Sequence, residues 1–144
     1  MSSTRLTALA ETVALEFLET AAQLERRLDR ALSVRGISFS EYRLLTALSA
    51  AGEAGCARID LAMAVGLTAS AVTRALKPLE KLGCLATSRN ERDARQSLAI
   101  LTPAGAQLLE EARGVLRDLL GQLPLSGLSR AQLAELQAGL MKFR

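Results

Sequence analysis

Apolar residues recur at three- and four-residue steps from Leu6 to Leu32, through Leu9, Val13, Phe17, Leu24 and Leu28, with charged residues between them. That is the period of one face of an α-helix, and neither Gly nor Pro interrupts it before Arg35-Gly36, where Gly supplies a common helix stop. The pattern predicts one helix from Leu6 to about Val34. At 1.5 Å per residue it is about 40 Å long. A stripe of that length exceeds what one small domain covers, so it is expected to pack on a partner as well as on its own chain.

A second helix is expected in the run "SFSEYRLLTALSAAGEAG", with Ser40 as N-cap before Glu41 and Leu44, Leu45 and Leu48 on its apolar face. Gly52 and Gly55 break that pattern. Ala57 to Val65 reads as a short helix ended by Gly66. After the turn "GLT", Thr68 or Ser70 caps a further helix with Val72, Leu76, Leu79 and Leu82 on one face, stopped by Gly83. Two short helices joined by a Gly-containing turn form a helix-turn-helix signature. Pro78 removes one hydrogen bond from the second helix and marks a bend at its back. Its front would present Ala69, Ser70, Thr73, Arg74 and Lys77, side chains that suit a major groove.

The pattern then changes period. Leu85, Thr87 and Arg89 alternate with Ala86 and Ser88; after a charged loop, Leu98 and Ile100 alternate with Ser97, Ala99 and Leu101. Two short strands around a polar loop make a β-hairpin, or wing. Thr102-Pro103 opens another helix, with Thr as N-cap and Pro at its first position. It carries Leu108, Leu109, Val115, Leu116, Leu119 and Leu120 and breaks over residues 121–129. Ser129 and Gln132 form a capping box for a last helix bearing Leu133, Leu136 and Leu140. The fold class is therefore mainly α with a small β-hairpin wing.

Composition narrows the function classes. With 144 residues, 49% hydrophobic and 23% charged, the chain can build one compact unit. Aromatics are 3%, so the core is expected to be Leu, Ala, Val and Ile, which favours helices. No apolar run approaches the roughly 20 residues of a membrane span, and residues 1–11 lack the basic-then-apolar order of a signal peptide. Cys56 and Cys84 are the only cysteines, too few for a disulfide scaffold and not at metal spacing. A reduced, cytoplasmic protein is expected. There is no histidine, so a zinc site would need Asp, Glu and Cys alone. No Gly-rich phosphate loop and no nucleophile beside a base is visible, so neither an enzyme nor a cofactor is expected.

The net charge of +3 is modest, but its placement is uneven. Residues 1–67 balance to −1, residues 68–102 to +3 and residues 103–144 to +1. The excess falls on the helix-turn-helix and hairpin, where a nucleic-acid face would be sought. Within residues 89–95 alone stand three arginines, Arg89, Arg92 and Arg95, with Glu91 and Asp93 among them.

The order helix, helix, helix-turn-helix, hairpin, long helix, last helix resembles the MarR family of winged helix-turn-helix regulators. The resemblance covers about residues 35–122 and is carried by "LAMAVGLTASAVTRALKPLEKLGCLATS" and "RNERDARQSLAILTPAG". It implies a wing arginine, here Arg95, entering the DNA minor groove, with Asp93 holding it in place. Arg is attracted to the negative potential of a narrow minor groove, and a salt bridge from Asp93 could pre-orient it. Arg89 and Arg92 are expected on phosphates, and Ser70, Thr73, Arg74 and Lys77 on the recognition helix.

The resemblance further implies a homodimer with intertwined terminal helices on double-stranded DNA, at a palindromic site. Residues 1–34 and 103–144 would be the dimerisation helices and residues 35–102 the DNA-binding domain. Repression is the expected mode. Many relatives release DNA when a small aromatic or phenolic ligand binds between the two parts, and Arg35, Tyr42 and Arg43 are the candidates to line such a crevice. Other relatives respond to cysteine oxidation, for which Cys84 is the candidate here. Neither cysteine lies in the N-terminal helix, where the peroxide-sensing branch carries its reactive thiol. The competing expectation is a winged-helix module that binds an acidic protein and no DNA.

Overall fold

The computed structural model describes residues 2–93 and 95–144, without the side chains of residues 2–4 and Pro124. Ala94, within the charged loop, lies outside the described residues. Helix α1 (Ser2–Leu32) runs into a 3-10 turn, Ser33–Arg35, and is followed by α2 (Phe39–Ala51). Then come strand β1 (Cys56–Ala57), α3 (Arg58–Val65), α4 (Ala69–Lys81), β2 (Leu85–Arg89), β3 (Ser97–Leu101), α5 (Pro103–Gln122) and α6 (Arg130–Met141). No single helix among the described residues is long and apolar enough to cross a membrane.

Local chemistry sets most boundaries. Ser38, not Ser40, caps α2: its hydroxyl accepts from the Glu41 amide at 3.1 Å while the Glu41 carboxylate accepts from the Ser38 amide at 2.8 Å. This reciprocal pair satisfies two amides that a helix start leaves open. The Phe39 amide donates to the Asp29 carboxylate at 2.6 Å, which ties the start of α2 to α1. Thr68 caps α4, and α3 begins at Arg58 because Ala57 is still extended. Ser129 and Gln132 form the expected capping box of α6. Helix α5 passes through Gly121 and ends one residue later.

The sheet has three strands, in the order β1-β3-β2, all antiparallel. The expected hairpin is β2–β3, with Leu85 opposite Leu101 and Arg89 opposite Ser97. The third strand is two residues long, too short to show any periodicity. The buried phase of β3 is Ala99, with Leu98 and Ile100 only half-buried.

One core joins the elements. Leu32, Leu44, Leu45, Leu48, Leu61, Val72, Leu76, Leu79 and Leu109 are essentially fully buried. Each such side chain contributes roughly 1.5–3 kcal/mol by its removal from water. Leu82 departs from the expected stripe and is 62% exposed. The helix has ended by then: Cys84 N–H donates to the Leu79 carbonyl and Gly83 N–H to that of Glu80, at 2.9 and 3.0 Å. This is a Schellman stop, with Gly83 at φ 73° as its left-handed residue.

The α1 stripe divides in two. Leu28 and Leu32 enter the core, whereas Leu6, Leu9, Val13, Leu15, Phe17 and Leu18 are exposed. On α6, Leu133, Leu136 and Leu140 are also exposed. The two helices touch through Phe17 and Phe143, the latter just beyond α6, whose rings stack with centroids 5.6 Å apart.

The junction between hairpin and α5 is the tightest in the fold. Thr102 N–H donates to the Cys84 carbonyl at 3.1 Å, and its hydroxyl donates to the Gly83 carbonyl at 2.5 Å while accepting from the Gly105 amide at 3.1 Å. A Cβ on Gly105 would stand 2.0 Å from the Cys84 carbonyl oxygen. Gly105→Ala is therefore expected to destabilise the protein by about 1–3 kcal/mol, the usual cost of overpacking. A thermal melt matching wild type would refute this account of the junction.

Candidate nucleic-acid interface

The α3–α4 pair is held by α3's burial of Leu61, Ala62 and Val65 and by α4's burial of Val72, Leu76 and Leu79. The opposite side of α4 is left to solvent. Ala69, Ser70, Arg74 and Lys77 are exposed on it, and Thr73 is half-buried. The Thr73 hydroxyl donates back to the Ala69 carbonyl at 3.0 Å, so its proton already has a local partner. Pro78 lies inside the helix, which continues to Lys81. Because proline has no N–H, the helix forgoes the bond to the Arg74 carbonyl.

The hairpin loop is organised by side chains of its own. Asn90 N–H donates to the Gln96 carbonyl at 3.0 Å, and their side-chain amides meet at 3.2 Å. The Asn90 side-chain oxygen accepts from the Arg92 amide at 3.0 Å. The Asp93 carboxylate accepts from the Arg95 amide, also at 3.0 Å. These are Asx turns, in which a short polar side chain substitutes for backbone. Among the described residues no ion pair joins Asp93 to the Arg95 guanidinium. The expected salt bridge is replaced by a bond to the backbone of the same residue. Asp93 thus sets where Arg95 starts, and leaves its guanidinium to solvent. Arg89, Arg92 and Arg95 are all exposed.

Helix α4 and the hairpin face one open cleft of about 560 Å³. One wall is Ser70, Thr73 and Arg74 of α4; the other is Arg95, Gln96 and Ser97 of the wing; Arg58 and Ile59 of α3 lie between them. The fold thus brings together Ser70, Thr73, Arg74 and Arg95 from segments up to 25 positions apart in sequence. Lys77 lies one turn further along α4, beside a second shallow cleft that Arg74 also borders. Arg89 and Arg92 line neither cleft. Arg58 was not expected at this site. It opens a helix two elements before the wing, and only the β1–β3 pairing brings it there.

The remaining candidates stand elsewhere. Arg35 pairs with Glu111 of α5 at 3.2 Å. Tyr42 is half-buried and stacks with Phe39, 6.0 Å between centroids. It also borders Arg113, whose guanidinium is raised in pKa mainly by its bond to Glu110, with Tyr42 contributing less. Arg35 and Tyr42 thus both face α5, whereas Arg43 is exposed. Cys84 is 5% exposed, and burial pushes its thiol pKa up. Cys56 is half-buried and is raised by burial and then by the Asp60 charge. A buried thiol with raised pKa has the character of an inert one, because the thiolate is the reactive form.

Residues 35–96 match the sequence profile of the MarR family. A Bacillus subtilis protein described as an uncharacterized HTH-type transcriptional regulator, YdgJ, is 38% identical over 78 residues. That match spans 54% of this chain and 46% of YdgJ, about half the length of that relative. Among solved structures, the transcriptional regulator BldR from Sulfolobus solfataricus is 30% identical, with a TM-score of 0.74 over 90% of this chain and 93% of that one. The MepR–DNA complex from S. aureus superposes with a TM-score of 0.76 over 90% of this chain and 92% of that one; at 22% identity it shows the shared fold.

The Cys84 environment also sets an expectation for its reactivity. A thiol held protonated in the folded state costs the fold stability as pH rises from the ordinary thiol value through its raised one. At neutral pH the folded protein is expected to alkylate at Cys84 far more slowly than the protein in denaturant. Equal rates of labelling, followed by peptide mass, would show that the thiol is reactive after all.

Proposed function

The chain belongs to the MarR family of transcriptional regulators, and we propose that it binds specific double-stranded DNA as a homodimer and represses by occupying its site. The observation that carries this reading is the shared cleft. It sets the polar, basic face of α4 beside the root of a wing bearing Arg89, Arg92 and Arg95. Helix α4 would enter the major groove, with Ser70, Thr73, Arg74 and Lys77 toward bases and phosphates. Arg95 would reach the adjacent minor groove, and Arg89 and Arg92 the backbone. MepR, which shares the fold, was solved on DNA.

The exposed apolar residues of α1 and α6 support the dimer. Large apolar residues left exposed along both helices are what an interaction surface offers, and a two-fold axis through them would give a palindromic site with half-sites about one helical turn apart. Residues 1–34 and 103–144 would then be the dimerisation parts and 35–102 the DNA-binding part. A small aromatic or phenolic effector would sit where Arg35 and Tyr42 approach α5, between these parts.

Selection from a random pool of DNA duplexes tests the reading directly. Enrichment of a two-fold symmetric site is expected; a folded protein that enriches nothing at low salt would favour the protein-binding alternative. On the selected duplex, Arg95→Ala is expected to weaken binding and to lower the salt slope by about one. Asp93→Asn keeps an oxygen for the Arg95 amide and is expected to bind close to wild type, while Asp93→Ala is expected to weaken binding. Equal losses in both Asp93 variants would mean that the charge, not the turn, matters.

Sedimentation of the Leu133→Glu/Leu136→Glu double variant checks the dimer. Its dissociation to monomers is expected, and an unchanged dimer would place the interface elsewhere.

A further inference from the structure

Strand β1 pairs with β3 so that Cys56 lies opposite Ala99 and Ala57 opposite Leu98. The next rung would set Arg58 against Ser97. There the backbone ladder stops, because Arg58 begins α3. The side chains continue it: Arg58 Nη1 donates to the Ser97 hydroxyl oxygen at 2.5 Å. Both residues are half-buried. The Arg58 Nε is buried with no hydrogen-bond partner, so this contact through Nη1 is the guanidinium's hold on the wing.

That position matters for geometry. Ser97 is the first residue of β3, two residues before which stands Arg95. The β2–β3 ladder ends at Arg89–Ser97, and beyond it the bonds among the described residues are the loop's own, between Asn90 and Gln96 and within the turns at Asn90 and Asp93. Arg58 grips the wing at the last point where the body of the domain can reach it. Arg58 and Ser97 line the same cleft as Ser70, Thr73 and Arg74.

We infer that Arg58 is a positioning residue: through Ser97 it fixes the wing against the recognition helix, and so sets the span between the groups that would enter adjacent grooves. The inference rests on the DNA-binding reading for its functional half and stands apart from it for its structural half. Holding Arg95 in advance spares the complex the ordering of a loosely held hairpin, which is the general gain from preorganisation. A phosphate-contacting role for Arg58 would make a different demand, since Ser97 would then not matter.

Two measurements test it, with Arg58→Met and Ser97→Ala. The first is amide hydrogen exchange on the free protein. Both variants are expected to speed exchange at Asn90 and Gln96, whose amides close the loop, while leaving α5 unchanged. Unchanged exchange in the wing overturns the inference, and so does faster exchange throughout the protein.

The second is affinity for the duplex selected by wild type. Each variant is expected to bind about tenfold or more weakly, as for loss of a hydrogen bond to a charged group, with the two losses non-additive in the double variant. In an Arg95→Ala background the effect of Arg58→Met is expected to shrink. A loss on Arg58→Met that persists there, with Ser97→Ala neutral and the salt slope lowered by about one, makes Arg58 a phosphate contact and overturns the positioning role. If wild type selects no duplex yet the wing exchange responds as expected, the brace stands and the DNA-binding reading falls.

Discussion

The contact on which the rest of the structure depends is the closure at Thr102. One residue satisfies the end of the helix-turn-helix, closes the hairpin and starts α5. Its amide and hydroxyl take the carbonyls of Cys84 and Gly83, and its oxygen receives the Gly105 amide. Gly105 is what lets α5 approach so closely. The wing is therefore clamped at its base to the helix that also packs on α1 and α2. At that joint a side chain on Gly105 would have no room against the Cys84 carbonyl and Leu101.

Charge in the wing is divided between two tasks. In the proposed complex, a free carboxylate near Arg95 would oppose phosphate. Here Asp93 is engaged with the Arg95 amide, so its charge helps define the turn while the guanidinium points outward. Asn90 does the same for Arg92 without a charge. The Arg92 and Arg95 amides are thus held while their side chains are exposed.

Much of this is legible in the sequence. Thr102 and Ser129 announce helix starts because capping depends on a residue and its next three neighbours; the same rule narrows the start of α4 to Thr68 or Ser70, and the structure has Thr68. The apolar rows of α2 and α4 follow from a period that local geometry imposes. What is not legible depends on a choice between neighbouring alternatives or on distant partners. Ser38 and Ser40 are both plausible caps, and only Ser38 is placed to trade bonds with Glu41. Leu82 continues the spacing but is the C-cap residue, where the Schellman stop at Gly83 has already ended the helix. Strand β1 is two residues with no pattern of their own. Arg58 reaches the wing only through that strand. The contact of Asp93 with a backbone amide, in place of a guanidinium, is a choice that spacing alone leaves open.

The outer two-thirds of α1 carries Leu6, Leu9, Val13, Leu15 and Leu18 on surfaces that its own chain leaves bare. An isolated helical segment of that kind is marginal in water, since most helical stability comes from tertiary packing. In the proposed dimer its order is therefore supplied by the second subunit, and dilution works against it. A cell holding few copies would keep part of them as monomers with a fraying first helix, open to proteases. Abundance itself would then set how much intact regulator persists, with degradation removing the unpaired fraction.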